Sequence, residues 1–284
     1  MIDISIPKWV KDILQKPLIL NQMEGLAVVE LKKKLARFST KNPLVSIVIP
    51  AWNEEEGILH TLISLAETNT TYDVELLIID NNSTDRTAHL LDSLGVKSIL
   101  ETKQGVGHAR TRGLQEAKGK YILTGDSDTL YPAGWITAMV EGMIKDEKVY
   151  CVHGSYSFLP SDDSPRWQYA FYEFLSGFII RKKEKTQPFL NTLGFNSGFI
   201  RQQGIDVNGY DIETQRTFRG AAGVIEQNAT EDGMMALRLQ EAGGKIKAID
   251  GLKARVWTSD RRIQLDGGLK NAMTMRIKKY LFKS

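Results

Sequence analysis

VSIVIPAWNEEEGILHTLISLAE, residues 45–67, changes its hydrophobic period once. Val45–Ile49 is a short, largely apolar run rich in β-branched residues and closed by Pro50, the pattern of a strand buried on both faces. After an acidic turn, apolar residues return at Ile58, Leu62 and Leu65, which is helical spacing, with the acids expected in the first helical turn. A buried strand that feeds a helix through a tight turn is one unit of an α/β sheet.

The unit recurs. VELLIID (74–80) precedes STDRTAHLLDSL (83–94), where Ser83 or Thr84 suits an N-cap. VKSIL (96–100) precedes GVGHARTRGLQEAKG (105–119), where Gly119 reads as a helix stop. KYILTG (120–125) precedes PAGWITAMVEGMIKD (132–146), a helix opened by proline. Four repeats predict a Rossmann-like α/β fold: a mostly parallel central sheet sandwiched by helices. Past residue 149 the alternation fades. VYCVHGSYSF reads as one strand, 165–185 as an aromatic-rich helix with its rings in the core, and 190–211 as loop. TEDGMMALRLQEAGG reads as a helix, and KIKAIDGLKARVWT as strand material.

The expected organisation is an N-terminal helical extension over 1–43, an α/β domain over 44–262 divided at 148/149, and a C-terminal basic helix over 263–284. Leu269, Met273, Ile277 and Leu281 share one face of that helix; packing on the domain is the favoured reading, with contact to an anionic membrane surface as the alternative.

A chain of 284 residues, 42% hydrophobic and 25% charged, can bury a sizeable core without disulfide staples, and its single cysteine, Cys151, reads as a buried apolar residue. The net charge of +3, with no arginine-rich tract, argues against nucleic acid as a partner. The N-terminus lacks a signal-peptide core and no stretch reaches the length of a membrane span, so a cytoplasmic location is expected, with peripheral attachment to the membrane face as an option.

In doubly wound sheets, ligands bind beyond the carboxyl ends of the strands. Pro50–Glu54, Asp80–Asn82 and Asp126–Asp128 each follow a strand and should converge on one edge. Alone, Asp126 and Asp128 suit either a turn or a hard divalent cation held against substrate phosphates. Asp80 suits a nucleobase or ribose, whereas Asn82, Ser83 and Asp85 look like turn and cap residues. Arg110 suits a phosphate or a solvated helix face. Glu231 and Asp232 open a helix, where acids are favoured anyway, and a carboxylate there suits a general base. Arg261 and Arg262 suit a leaving diphosphate or the open surface. The four histidines show no metal-ligand spacing.

Taken in order, VSIVIPAWNEEEGI, LLIIDNNSTDRT, GVGHARTRGLQEAKGKYILTGDSDTLYP, NSGFIRQQGIDVNGYD and TEDGMMALRLQEAGGKI resemble family 2 glycosyltransferases of the GT-A fold over roughly residues 44–262. The resemblance implies a nucleotide-diphosphate sugar donor, a glycan or lipid-linked acceptor, and Mn2+ or Mg2+. It implies that Pro50, Ala51, Glu54, Asp80 and Asn81 border the base and ribose. It also implies that Asp128, with Asp126 beside it, binds the metal, and that Asp232 is the catalytic base of inverting transfer. Many relatives carry a second acid where Asn81 stands, so the resemblance does not extend to the identity of the base. The Gln-x-x-Arg-Trp motif of processive relatives is absent, which points to transfer of a single sugar. A sugar nucleotidyltransferase is the rival enzyme class, although its glycine- and basic-rich first turn is replaced here by PAWNEEEG. A non-catalytic nucleotide-sugar-binding protein is the rival without chemistry.

Overall fold

The structure, a computed structural model, describes residues 5–161, 164–210 and 230–281. Two N-terminal helices, α1 (Lys8–Leu14) and α2 (Gly25–Leu35), lead into β1 (Val45–Ala51) and α3 (Ile58–Ala66). There follow β2 (Val74–Asp80), α4 (Thr87–Leu94), β3 (Ser98–Leu100), α5 (Val106–Glu116), β4 (Tyr121–Thr124), β5 (Thr129–Leu130) and α6 (Trp135–Ile144). The second half holds β6 (Val149–Gly154), β7 (Tyr156–Leu159), α7 (Arg166–Thr186), β8 (Ser197–Ile200) and α8 (Arg201–Asp206). It closes with α9 (Glu231–Glu241), β9 (Lys245–Ile249), β10 (Val256–Ser259), α10 (Arg261–Leu265) and α11 (Leu269–Leu281).

Seven strands form the central sheet in the order β3-β2-β1-β4-β8-β6-β9, parallel except for β8, which runs antiparallel to β4 and β6. The two-residue period of the strands divides the core. Val45, Ile47, Ile49, Leu76, Ile78 and Leu123 face the side covered by α3, α4 and α6, and Val48, Leu77, Ile79 and Ile122 face the side covered by α5, α8 and α9. The N-terminal helices belong to the first of these layers, through Val10, Ile13, Leu31 and Leu35. A small second sheet, β5-β10-β7, stands beside the carboxyl edge of the large one, with β10 paired to both neighbours.

Several local expectations are corrected. Glu54–Glu56 precede α3, whose first turn holds no acid. Helix α4 begins at Thr87, so neither Ser83 nor Thr84 caps it; the Asp85 carboxylate accepts from the Thr87 amide instead. Pro132 lies three residues before α6. VYCVHGSYSF is two strands in two different sheets, and 190–211 contains β8 in the middle of the large sheet. On α7, Tyr169 and Tyr172 are buried but Trp167, Phe171 and Phe174 are exposed. Of the C-terminal face, Leu269 and Met273 pack beside Tyr169, Tyr172 and Ile263, while the side chains of Ile277 and Leu281 lie outside the described residues.

Gly119 does not end α5, which stops at Glu116 with Ala117 already extended. It lets the chain press against β1: its amide donates to Ser46 Oγ, which donates to buried Glu75, and the Lys118 amide donates to the same carboxylate. A Cβ at Gly119 would stand 2.6 Å from the Ser46 amide nitrogen, a backbone atom that cannot simply rotate away. Gly119→Ala is expected to cost about 1–3 kcal/mol in urea denaturation. Gly25→Ala, at a position with nothing within 4 Å of the added carbon, should leave the transition close to that of the wild type.

Candidate functional site

The parallel register aligns the ends of β1, β2 and β4. Ala51 pairs with Asp80, and Val48 with Thr124, so the loops after the three strands leave the same edge. The first two loops are stitched together. Asn53 and Asn82 take up left-handed backbone (φ 53° and 62°), which asparagine tolerates better than other side-chain-bearing residues. The Asn53 amide donates to Ser83 Oγ, its side-chain oxygen accepts from the Thr84 amide, and Glu54 and Glu55 donate their amides to Thr87 and Asp85. Ser83 and Asp85 are therefore the structural residues their types suggest. Asp80 is buried and accepts from the Ser83 amide. Asn81 is buried too, with its amide group donating to the Glu101 and Lys103 carbonyls and its oxygen accepting from the Gly105 amide. Those bonds hold the loop before α5, so the Asn81 side chain is taken up by the scaffold.

The third loop, Asp126-Ser127-Asp128, sends its two carboxylates to different partners. Asp126 meets Arg110 from α5 at 3.0 Å. Asp128 meets Arg261, at the start of α10, at 3.1 Å, and the same guanidinium reaches Glu54 at 2.8 Å. Arg110 also pairs with Asp232 in the first turn of α9, where the Thr230 side chain caps the helix by accepting from the Gly233 amide. Arg110 is thus a buried bridge and not a solvated helix residue; Gly194 has no side chain because the guanidinium occupies that space. Both Arg261 and Arg262 are exposed, but only Arg261 pairs with Glu54 and Asp128 and lines the adjoining cleft.

Three residues that the sequence alone did not single out hold this turn. The Tyr131 hydroxyl accepts from the Asp126 amide and reaches the Phe195 carbonyl, and it leaves no room for a Cβ at Gly125. Thr61 Oγ1 lies within hydrogen-bond reach of the Ser127 and Thr129 carbonyls, from a buried face of α3. The Ser259 amide donates to the Asp128 carbonyl, which ties β10 to the loop. The available signal was polar atoms among apolar residues: a threonine amid ILHTLISLA and a tyrosine just past a short strand.

Burial pushes the Asp128 carboxyl up to about 6, helped by neighbouring Asp126 and Glu54 and opposed by Arg261. Burial likewise raises Glu54. Asp232 is pushed up to about 6, first by burial and then by Asp126 and Glu231, against the pull of Arg110. The upward direction stands because one guanidinium is divided between two carboxylates, and Asp232 Oδ1 has no hydrogen-bond partner among the described residues. Burial works against the Arg110 charge, but Asp232 and Asp126 outweigh it and hold the guanidinium more firmly protonated than usual.

A cleft of about 640 Å³ opens beside Glu54, Asp128 and Arg261, with Leu14, Leu18 and Leu159 among its walls. Asp126 and Asp232 lie outside those walls, on the Arg110 side of the turn. Among the described residues no three His, Cys, Asp or Glu side chains cluster as a metal cage. The hard oxygen donors of Asp126 and Asp128, with a surplus of negative charge around them, nevertheless suit a divalent cation.

Residues 46–203, more than half of the chain, match the family model described as Glycosyl transferase family 2. The UDP-Glc:alpha-D-GlcNAc-diphosphoundecaprenol beta-1,3-glucosyltransferase WfaP of Escherichia coli is 33% identical over 120 residues, 40% of this chain and 46% of its own length. The chain spans about half the length of several curated relatives it matches. Among solved structures, S. aureus TarS 1-349 in complex with UDP-GlcNAc superposes with a TM-score of 0.56 at 18% identity, over 76% of this chain and 58% of that one. The mannosyltransferase PcManGT from Pyrobaculum calidifontis, in complex with GDP-Man and Mn2+, gives 0.54 at 19% identity, over 89% and 71%. These likenesses establish the mixed α/β fold with a large, mostly parallel sheet.

Asp128 and Asp232 each hold a proton up to about pH 6, above the ordinary aspartate value of 3.8. Between those values the folded state binds more protons than the unfolded one, so their contribution to stability falls as pH rises through that window. In metal-free buffer, Asp232→Asn should flatten the decline of the urea midpoint between about pH 4 and pH 6. An unchanged slope would contradict the assignment.

Proposed function

Because the chain belongs to glycosyl transferase family 2, we propose that it transfers a single sugar from a nucleotide-diphosphate donor to an acceptor hydroxyl, with inversion at the anomeric carbon. The observation that carries this reading is Asp232: a buried carboxylate, tethered to Arg110 by one oxygen, whose Oδ1 lacks a partner among the described residues. An unpaired buried acceptor calls for a donor, and an acceptor hydroxyl supplies one.

In this reading the donor base and ribose lie against Pro50, Ala51, Glu54 and Asp80, and Asp128 with Asp126 would hold a divalent ion, Mn2+ or Mg2+. When bound, that ion supplies Lewis-acid stabilisation of the diphosphate. Arg261 stands next to the same carboxylate and offers a planar fork to the phosphate oxygens. Asp232 takes the proton of the acceptor hydroxyl as the new bond to the anomeric carbon forms. The bond from that carbon to the diphosphate oxygen breaks on the opposite face, and the electron pair leaves with the nucleoside diphosphate. Arg110 keeps Asp232 oriented and offsets its charge until the proton arrives. A glycan or lipid-linked acceptor of cell-envelope polysaccharide synthesis is favoured by the relatives' names, WfaP's among them. Such acceptors suit an enzyme working at the cytoplasmic membrane face, and none of the described helices is long and apolar enough to cross a membrane.

General-base assistance is worth about 10²–10⁴-fold, so Asp232→Asn should lose turnover in that range while donor affinity, read by calorimetry, stays near wild type. Near-normal turnover would remove Asp232 from the mechanism. Asp128→Ala should abolish the metal-dependent part of a thermal shift induced by UDP- or GDP-sugars without lowering the melting temperature of the free protein, because ligand stabilisation acts by mass action on the folded state alone. Pyrophosphate release from a sugar phosphate and a nucleoside triphosphate would favour the nucleotidyltransferase class instead.

A further inference from the structure

Helix α7 presents Trp167, Phe171, Phe174 and Phe178 at steps of four, three and four residues, which places them in one stripe. All four are exposed, at 57%, 44%, 40% and 55%, while Tyr169, Ala170, Tyr172 and Ser176 on the other side are buried. Burial of one aromatic face would have satisfied the fold; a second face of four large rings left in solvent marks a surface that meets something. The stripe is ordered within itself. Phe174 and Phe178 pack edge to face at 5.1 Å, and the Arg181 guanidinium lies 5.2 Å from the Phe178 ring.

Charge identifies the occupant. The stripe runs into RKKEK, residues 181–185, where Arg181 and Lys185 are exposed. Next to α7, the start of α11 packs on Tyr169 and Tyr172, and residues 269–284 add five basic residues and no acidic one. The whole chain carries only +3, whereas residues 166–186 alone hold five basic residues against two acidic ones. Exposed tryptophan and phenylalanine backed by arginine and lysine fit the boundary between anionic headgroups and acyl chains.

We propose that the exposed face of α7 is a docking surface for an anionic lipid bilayer. The surface is physically tied to the candidate site. Tyr169 of α7 donates to the buried Asp260 carboxylate, which precedes Arg261, and the chain leaving α7 passes through the short helix Pro188–Asn191 to Thr192, whose carbonyl accepts from Thr230 at the cap of α9. A bilayer against α7 therefore lies beside the elements that carry Arg261 and Asp232. This goes beyond the transfer reaction, and vesicle binding measures it without turnover.

The test is co-sedimentation of the full chain with phosphatidylglycerol and phosphatidylcholine vesicles. Wild type should bind the anionic vesicles at low salt and release from them at high salt. The fourfold variant Trp167→Ser, Phe171→Ser, Phe174→Ser and Phe178→Ser should bind about tenfold or more weakly, with its urea transition and its metal-dependent thermal shift unchanged. Arg181→Ala with Lys185→Ala, which leaves the rings in place, should weaken binding to phosphatidylglycerol while binding to phosphatidylcholine stays the same. Absence of wild-type binding to phosphatidylglycerol overturns the proposal, as does full binding by the fourfold variant. A wild-type dimer that the fourfold variant splits, with neither binding vesicles, overturns it in favour of a second copy of the chain.

Discussion

Two arginines on either side of one turn hold the functional edge together. Asp126 and Asp128 are two residues apart, yet each has its own guanidinium, Arg110 from α5 and Arg261 from beyond β10. Each guanidinium then takes a second carboxylate, Asp232 and Glu54 respectively. Two cations so link five separate segments of the chain. Like charges this close cannot all ionise unless cations are fixed among them. The count still leaves four carboxylates to two guanidiniums, and that surplus is the electrostatic reason for expecting an added cation.

Much of the first half was legible because its physics is local. Buried parallel strands read as nearly continuous apolar runs, and β1, β2 and β4 announce themselves as VSIVIP, VELLIID and KYILTG. The convergence of the three loops follows from parallel register and needs no side-chain detail. The second half hid its order because its contacts are distant. Ser197–Ile200 looks like glycine-punctuated loop, but lies between β4 and β6 and pairs with both. Gly198 meets Leu123 across the sheet, so its small size is set by a neighbour far away in sequence. Arg110 was equally opaque. A helix-face arginine in ARTRG carries no mark of being buried until Asp126 and Asp232 are brought against it.

Caps and stops were the least legible details, for a related reason. Gly119, Ser83 and Thr84 are residue types that favour helix ends, but they were recruited for other contacts: Gly119 for close approach to β1, and Ser83 and Thr84 for ties to Asn53. Aromatic content misled in the opposite direction. The rings of α7 read as core, but only Tyr169 and Tyr172 face inward, and the helix has a second aromatic face that does not.

The antiparallel strand β8 also bears on how the chain reaches this state. It occupies an inner position of the sheet, and its partner Tyr121 is 79 residues upstream of Ile200. Strands β1 to β4 can assemble from nearby segments, but β4 keeps an open edge until β8 arrives from the far side of α7. Closing so long a loop before its contacts repay the entropy is slow. Any state in which β8 has not yet docked leaves β4 with an unpaired apolar edge, a template for pairing with the wrong chain.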